Sequence, residues 1–255
     1  MNILILGSSS DSGRDPAGNL NNQILCDMLE REFGEPFTLT STEIWPNARM
    51  PEYAARLIRE TNPGIIYFNV TDYPVAYPST AVRLRRFGAP GRRIARGTLT
   101  ISSNRDLTHN RPIRALRTLL QATIGGDTHV PIEDAIDRYT QTLRIAARQE
   151  NSFVAVRGPA GEQRKGVTKR QRRASEAKRF QFHRALRDTC ATLHIPYFGS
   201  ETPAWADPSH PDHFTATQLA GDATHLSEEG AHLSATRHFN RLSAAYRAYL
   251  AAAHR

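Results

Sequence analysis

The sequence predicts an α/β protein: a three-layer α/β/α sandwich with a central, mostly parallel sheet. Three observations lead there. Short strand-like runs recur along the chain, each followed by a segment of helical periodicity, which is the alternation a parallel sheet with crossover helices requires. The run from Gly64 to Val70 is apolar almost throughout, as a central strand buried on both faces must be. At 255 residues, 39% hydrophobic and 23% charged, the chain can fill one sizeable core, and no Pro/Gly/Ser-rich stretch divides it. Residues 1–255 are therefore read as one domain.

The elements follow in order. Asn2 to Leu6 comes straight after Met1 without a basic leader or a cleavage site, so it reads as a first core strand. From Asn22 to Phe33, Ile24, Leu25, Met28 and Leu29 recur at helical spacing, and Gly34 closes the helix as a C-cap. Phe37 to Thr40 is a second strand, and Gly64 to Val70 a third. Helices are expected over Thr80–Arg86, Pro112–Ile124 and Pro131–Ala147. In the last, Ile132, Ala135, Tyr139, Leu143 and Ala146 share a face. Ser152 to Val156 is a strand, Gly158 to Thr168 a charged loop, and the following helix carries Phe182, Leu186, Cys190 and Leu193. Ile195 to Phe198 is the last strand. The C-terminal helix begins near Ser227, an N-cap followed by Glu228 and Glu229, and buries Ala235, Phe239, Leu242, Tyr246 and Leu250.

Composition narrows the function classes. The net charge is +8, and between Arg157 and Arg187 eleven Lys/Arg face only Glu162 and Glu176. That run reads as a solvated surface. The stretch 164–173 has no interleaved aromatic residue, which disfavours nucleic acid as a partner, so an anionic substrate or acyl carrier is the more economical functional reading. No apolar run is long enough for a membrane span. Cys26 and Cys190 stand far apart without CxxC spacing, which argues against a disulfide framework or zinc site and for a reduced, cytoplasmic setting. His210 and His213 flank Pro211-Asp212 in a polar loop expected to be solvent-exposed, and no metal or cofactor is implied.

Two constellations carry chemistry. The loop Gly7-Ser8-Ser9-Ser10-Asp11-Ser12-Gly13 directly follows the first strand, at the carboxyl end of the sheet, where open α/β folds bind ligands. The second is Gly221-Asp222-Ala223-Thr224-His225-Leu226, which enters the last helix and ends on Gly230. A carboxylate three residues before a histidine can hold one imidazole nitrogen while the other faces a nucleophile.

Together these residues resemble the SGNH/GDSL hydrolase family. Its first block is Gly-Asp-Ser-x-Ser/Thr-x-Gly and its last Asp-x-x-His-Leu-x-x-x-Gly. Gly7 and Gly13 match the first, with Ser8 in place of the aspartate, while Asp222, His225, Leu226 and Gly230 match the last. The resemblance spans the chain and implies a flavodoxin-like fold. It makes Ser9 the nucleophile, His225 the general base and Asp222 its partner.

In the family an asparagine after the central strand and a backbone N–H after the second strand complete the oxyanion hole. Asn69 is the preferred amide here, although a Gly-x-Asn-Asp alignment puts Thr71 in that place, with Asp72 beside it. The glycine position is empty: Trp45 to Pro51 occupies the interval, and the N–H of Asn47, Ala48 or Arg49 is the candidate donor, Ala48 being central. Arg49 is also a candidate contact for a substrate carboxylate or phosphate.

The implied activity is acyl transfer on a small or medium-sized ester, with an acyltransferase as the alternative. A second alternative is a phosphate- or nucleotide-binding enzyme, because Gly7-Ser8-Ser9-Ser10-Asp11 also looks like the phosphate loop of aminoimidazole ribonucleotide mutases. That reading leaves Asp222 and His225 unexplained.

Overall fold

The computed structural model of the chain describes residues 1–7, 16–103, 119, 123, 125–160, 169–204, 209–210, 213–219 and 226–253. Five strands, β1 (Asn2–Gly7), β2 (Thr38–Glu43), β3 (Ile65–Asn69), β4 (Phe153–Arg157) and β5 (Tyr197–Phe198), form one sheet in the order β2-β1-β3-β4-β5. Every neighbouring pair is parallel. The helices are α1 (Pro16–Phe33), α2 (Met50–Thr61), α3 (Tyr73–Ala76), α4 (Thr80–Leu84), α5 (Gly88–Ser103), α6 (Ile132–Ala147), α7 (Lys169–Thr192) and α8 (Glu228–Ala253).

Side-chain alternation along the strands builds the three layers. Leu4, Leu6, Ile66, Phe68, Val154 and Val156 point to one face, where α2, α6 and α7 cover them with Met50, Ala54, Ile58, Leu143, Phe182 and Leu186. Ile3, Ile5, Ile65, Tyr67, Phe153 and Ala155 point to the other, against Leu25 and Leu29 of α1 and Ala235, Leu242 and Tyr246 of α8. β3 is buried at all five positions, as its unbroken apolar run requires.

Most expected elements are present. Gly34 closes α1 in the left-handed region at φ 70°, its N–H donating to the Glu30 carbonyl. The Ser227 hydroxyl accepts from the Gly230 N–H, so α8 is capped as the sequence indicates. Other boundaries differ. The helix read over Thr80–Arg86 stops at Leu84 and tightens into a 3-10 turn over Arg85–Phe87, and β5 keeps only two residues. The helix expected over Pro112–Ile124 lies outside the described residues, apart from Leu119 and Thr123.

Three helices go beyond the sequence expectation: α2, the single turn of α3, and α5. α2 buries Met50, Ala54 and Ile58 at i, i+4 and i+8, with Pro51 in its first turn, where a missing N–H costs nothing. Gly88, Pro90 and Gly91 occupy the start of α5, where proline and glycine are tolerated.

Candidate active site

In a parallel sheet of order 2-1-3-4-5 the crossovers diverge at the carboxyl ends of β1 and β3, which opens a crevice there. Leu6 pairs with Phe68, and one further step of that register sets Gly7 beside Asn69. On the other side Gly7 pairs with Glu43, and its carbonyl accepts from the Ile44 N–H at 3.0 Å. Ser9 follows Gly7 by two residues and itself lies outside the described residues, as does the rest of 8–15.

Asp222 and His225 also lie outside the described residues, but the segments on both sides of them are well tied. α8 runs antiparallel to the strands. Tyr246 reaches the Met1 sulfur at the amino end of β1, and His238 Nδ1 lies 2.7 Å from the Tyr67 hydroxyl in mid-sheet. The helix start at Glu228 is therefore at the carboxyl edge, three residues after His225. Leu219 and Leu226 form an antiparallel bridge, and the Ser227 N–H donates to the Gln218 carbonyl at 3.1 Å. A Cβ on Gly230 would fall 2.0 Å from that same carbonyl, so the crossing strap admits only glycine there. Gly230 is thus glycine for a packing reason.

Asn69 ends β3 and is buried. By alternation it faces the layer of α1 and α8, the helices that the Ser9 loop leads into and the Asp222/His225 segment precedes. Its Oδ1 accepts a 2.6 Å hydrogen bond from Arg157 Nη1, from the residue opposite it on β4. Thr71 is half-buried and its Oγ1 accepts from the Tyr73 N–H at 3.2 Å. Asp72 is buried, with its carbonyl receiving the Val75 and Ala76 N–H groups at the start of α3.

After β2, Asn47, Ala48 and Arg49 are exposed in a turn. The Asn47 N–H donates to the Trp45 carbonyl at 2.6 Å and the Arg49 N–H to Asn47 Oδ1 at 2.8 Å. Among the three candidate donors of this turn, the Ala48 N–H is the one these bonds do not use. Arg49 keeps an exposed side chain.

Other residues gather at this edge without a motif to announce them. Trp45, after β2, and Tyr73, after β3, meet across the end of β1 with ring centroids 6.1 Å apart. His129 joins both, at 5.6 and 5.3 Å, and Tyr77 stacks on Tyr73. Burial, and then the Arg85 charge, hold the His129 imidazole below its ordinary pKa.

On the opposite face, Arg179 of α7 is only 4% exposed. The solvated-surface reading of the basic run therefore fails at this position. Arg179 donates from Nη1 to the Ser200 carbonyl at 3.3 Å and from Nη2 to the Glu201 carbonyl. Burial works against its charge, and the Asp72 carboxylate favours it. One turn further, His183 Nδ1 lies 2.9 Å from the Tyr197 hydroxyl. The expectation for the His210–His213 loop also changes, because His210 is buried and His213 Nδ1 lies 2.8 Å from the Ala204 carbonyl. Both cysteines are free thiols, and burial raises Cys190 to about 12. Among the described residues no His, Cys, Asp or Glu groups could hold a metal, and no helix is long and apolar enough to cross a membrane.

No protein-family model matches the chain, and no curated protein matches its sequence. Solved structures do match its shape. A psychrotrophic esterase, EstA, from Pseudoalteromonas sp. superposes with a TM-score of 0.51 at 9% identity over 96% of this chain and 98% of its own. TesA gives 0.52 at 10% identity over 95% and 98%. A protein from Desulfitobacterium hafniense DCB-2 described as lipolytic and of the G-D-S-L family gives 0.51 at 12% over 94% and 99%. At these identities the likeness establishes the fold: the chain has the α/β/α fold shared by SGNH esterases and lipases.

Proposed function

We propose that this protein is an SGNH-type serine hydrolase acting through an acyl-Ser9 intermediate. The observation that carries the reading is the meeting of its two matched blocks with one crevice: the Ser9 loop leaves β1 beside Asn69, and the Asp222/His225 segment precedes a helix whose start lies at the same edge.

The reaction follows the serine-histidine-acid scheme. Ser9 Oγ attacks the ester carbonyl carbon while His225 takes the hydroxyl proton, and Asp222 holds the imidazole tautomer. The tetrahedral oxyanion accepts hydrogen bonds from Asn69 Nδ2, the Ser9 N–H and the Ala48 N–H. Collapse breaks the bond to the alcohol, which leaves with the proton returned by His225. Water, deprotonated by His225, then attacks the acyl carbon; collapse breaks its bond to Ser9 Oγ, which recovers the proton from His225, and the carboxylic acid is released. Arg49 and Thr71 border the substrate, a small or medium-sized ester, while Asp72, a substrate contact on the sequence reading, is buried with its carboxylate supporting the Arg179 charge. An alcohol or amine in place of water would make the same site an acyltransferase.

Mixing the protein with p-nitrophenyl esters of increasing chain length tests this. A p-nitrophenolate burst equal to the enzyme concentration, absent in Ser9→Ala, is expected for a site whose deacylation is the slower step. Turnover undiminished in Ser9→Ala would contradict the mechanism. Added alcohols then separate hydrolysis from transfer through the ester products they form.

A further inference from the structure

We propose that Arg157 is a positioning residue for the oxyanion hole: its guanidinium locks the Asn69 carboxamide in the one orientation that offers N–H groups to the reaction. The inference rests on the hydrolase reading above and extends it to a residue that no motif of the chain contains.

An asparagine amide presents an acceptor and a donor from nearly the same shape, and a half-turn about χ2 exchanges them. An oxyanion donor must not be exchanged. In a freely turning amide, the flipped state would aim Oδ1 at the developing negative charge and repel it. Here the flip is blocked by charge. Arg157 Nη1 donates to Asn69 Oδ1 at 2.6 Å, a short hydrogen bond from a charged donor, a class stronger than neutral pairs. A flipped Asn69 would bring its NH2 against the guanidinium, donor to donor, because arginine has no acceptor to offer. Nδ2 is therefore held on the side of the amide away from the guanidinium.

Backbone register makes the lock stiff. Asn69 and Arg157 are direct partners across the parallel β3–β4 ladder, and the Val70 N–H donates to the Arg157 carbonyl at 2.9 Å, so the two Cα atoms cannot drift apart. Asn69 is 8% exposed, which keeps water from competing strongly for Oδ1. A cation on Oδ1 also draws electron density from the amide and makes its N–H groups better donors. Both effects matter most in the transition state, where charge develops on the substrate oxygen.

The test is a double-mutant cycle on the full chain, read as kcat and KM for a neutral p-nitrophenyl ester, after fluorophosphonate labelling of wild type has established the Ser9 nucleophile. Asn69→Ala is expected to lower kcat about 100- to 1000-fold, as loss of an oxyanion donor does. Arg157→Met should lower kcat about 10- to 100-fold, by analogy with the loss when the outer hydrogen-bond partner of a metal ligand is removed, with KM nearly constant. In Asn69→Ala, adding Arg157→Met should change kcat less than about threefold, because there is no amide left to orient. Arg157→Lys, which keeps a cationic donor, should recover part of the loss. Thermal melts identify folded variants, and Arg157→Lys keeps the test open if Arg157→Met fails to fold.

The outcomes separate. No labelling in folded wild type sinks the hydrolase reading itself. Labelling with an unaffected Asn69→Ala overturns the amide's role and the lock with it. A large Asn69 effect with an inert Arg157→Met, or equal Arg157 losses in both backgrounds, overturns the lock alone. A rise in KM confined to anionic esters would instead make Arg157 a substrate contact.

Discussion

Two arginines stand at the carboxyl end of the sheet, one on each face, and their partners differ in kind. Arg157 gives Nη1 to a side-chain amide on the face of α1 and α8. Arg179, on the opposite face, gives both Nη atoms to the backbone carbonyls of Ser200 and Glu201. A backbone carbonyl has no second state for an arginine to select, so Arg179 can only hold the segment after β5 in place. An asparagine amide has two, so Arg157 decides what Asn69 presents. The same residue type thus serves stability in one place and, under the proposed lock, chemistry in the other.

That contrast can be broken at several points, in falling order of effect. Asn69→Ala should cost about 100- to 1000-fold in kcat and about 1–3 kcal/mol of stability, because Arg157 Nη1 loses its acceptor; a fall in the urea midpoint with little change in kcat would make Asn69 a structural residue only. Arg179→Met should act mainly on stability. Leaving two carbonyls without their cationic donor should cost about 2–4 kcal/mol of stability, measured by urea unfolding, with kcat of the folded fraction within severalfold of wild type. Gly230→Ala lies between the two. Its Cβ would meet the Gln218 carbonyl, so about 1–3 kcal/mol should be lost, together with activity, as the start of α8 shifts under the Asp222/His225 segment.

The smallest expected effect is a pH dependence on the Arg179 side. Burial first, then the Arg179 and Arg187 charges, lower the His183 pKa from its ordinary 6.5. The unfolded chain therefore takes up the proton first as pH falls. Stability present above about pH 6.5 declines from there through the depressed folded value, with a slope of at most about 1.4 kcal/mol per pH unit for one proton. His129, also lowered, adds a slope of the same sign. Melting curves from about pH 7.5 to 5, which bracket the ordinary imidazole range, should show the decline, and His183→Gln should flatten part of it. A slope unchanged in His183→Gln would mean that folding does not shift the His183 titration.

The layered fold is legible because its signals are local and periodic. β3 announces itself by an unbroken apolar run, and α8 by Ser227 and the two glutamates that follow. α2 stays hidden although Met50, Ala54 and Ile58 keep a clean helical spacing, because Pro51 and the turn before it suggest a loop. α5 hides behind two glycines and a proline that its first turn tolerates. The candidate site divides in the same way. Ser9, Asp222 and His225 stand in two short blocks readable in one dimension. Arg157, 88 residues from Asn69, becomes its neighbour only through the β3–β4 register. Arg179 carries two opposed signals: a lysine- and arginine-rich run normally marks solvent, yet Arg179 stands three residues before Phe182 and seven before Leu186, on the face that α7 buries. The Trp45, Tyr73 and His129 rings meet across the end of β1 for the same topological reason, and their spacing along the chain gives no hint of it.

The most direct measurement is intact-mass analysis after exposure to a fluorophosphonate, followed by peptide mapping. Wild-type protein should gain one phosphonyl group, carried on Ser9, and Ser9→Ala and His225→Ala should gain none on the same timescale. A folded wild type that stays unmodified, or an adduct mapped to any other serine, would contradict the Ser9 mechanism.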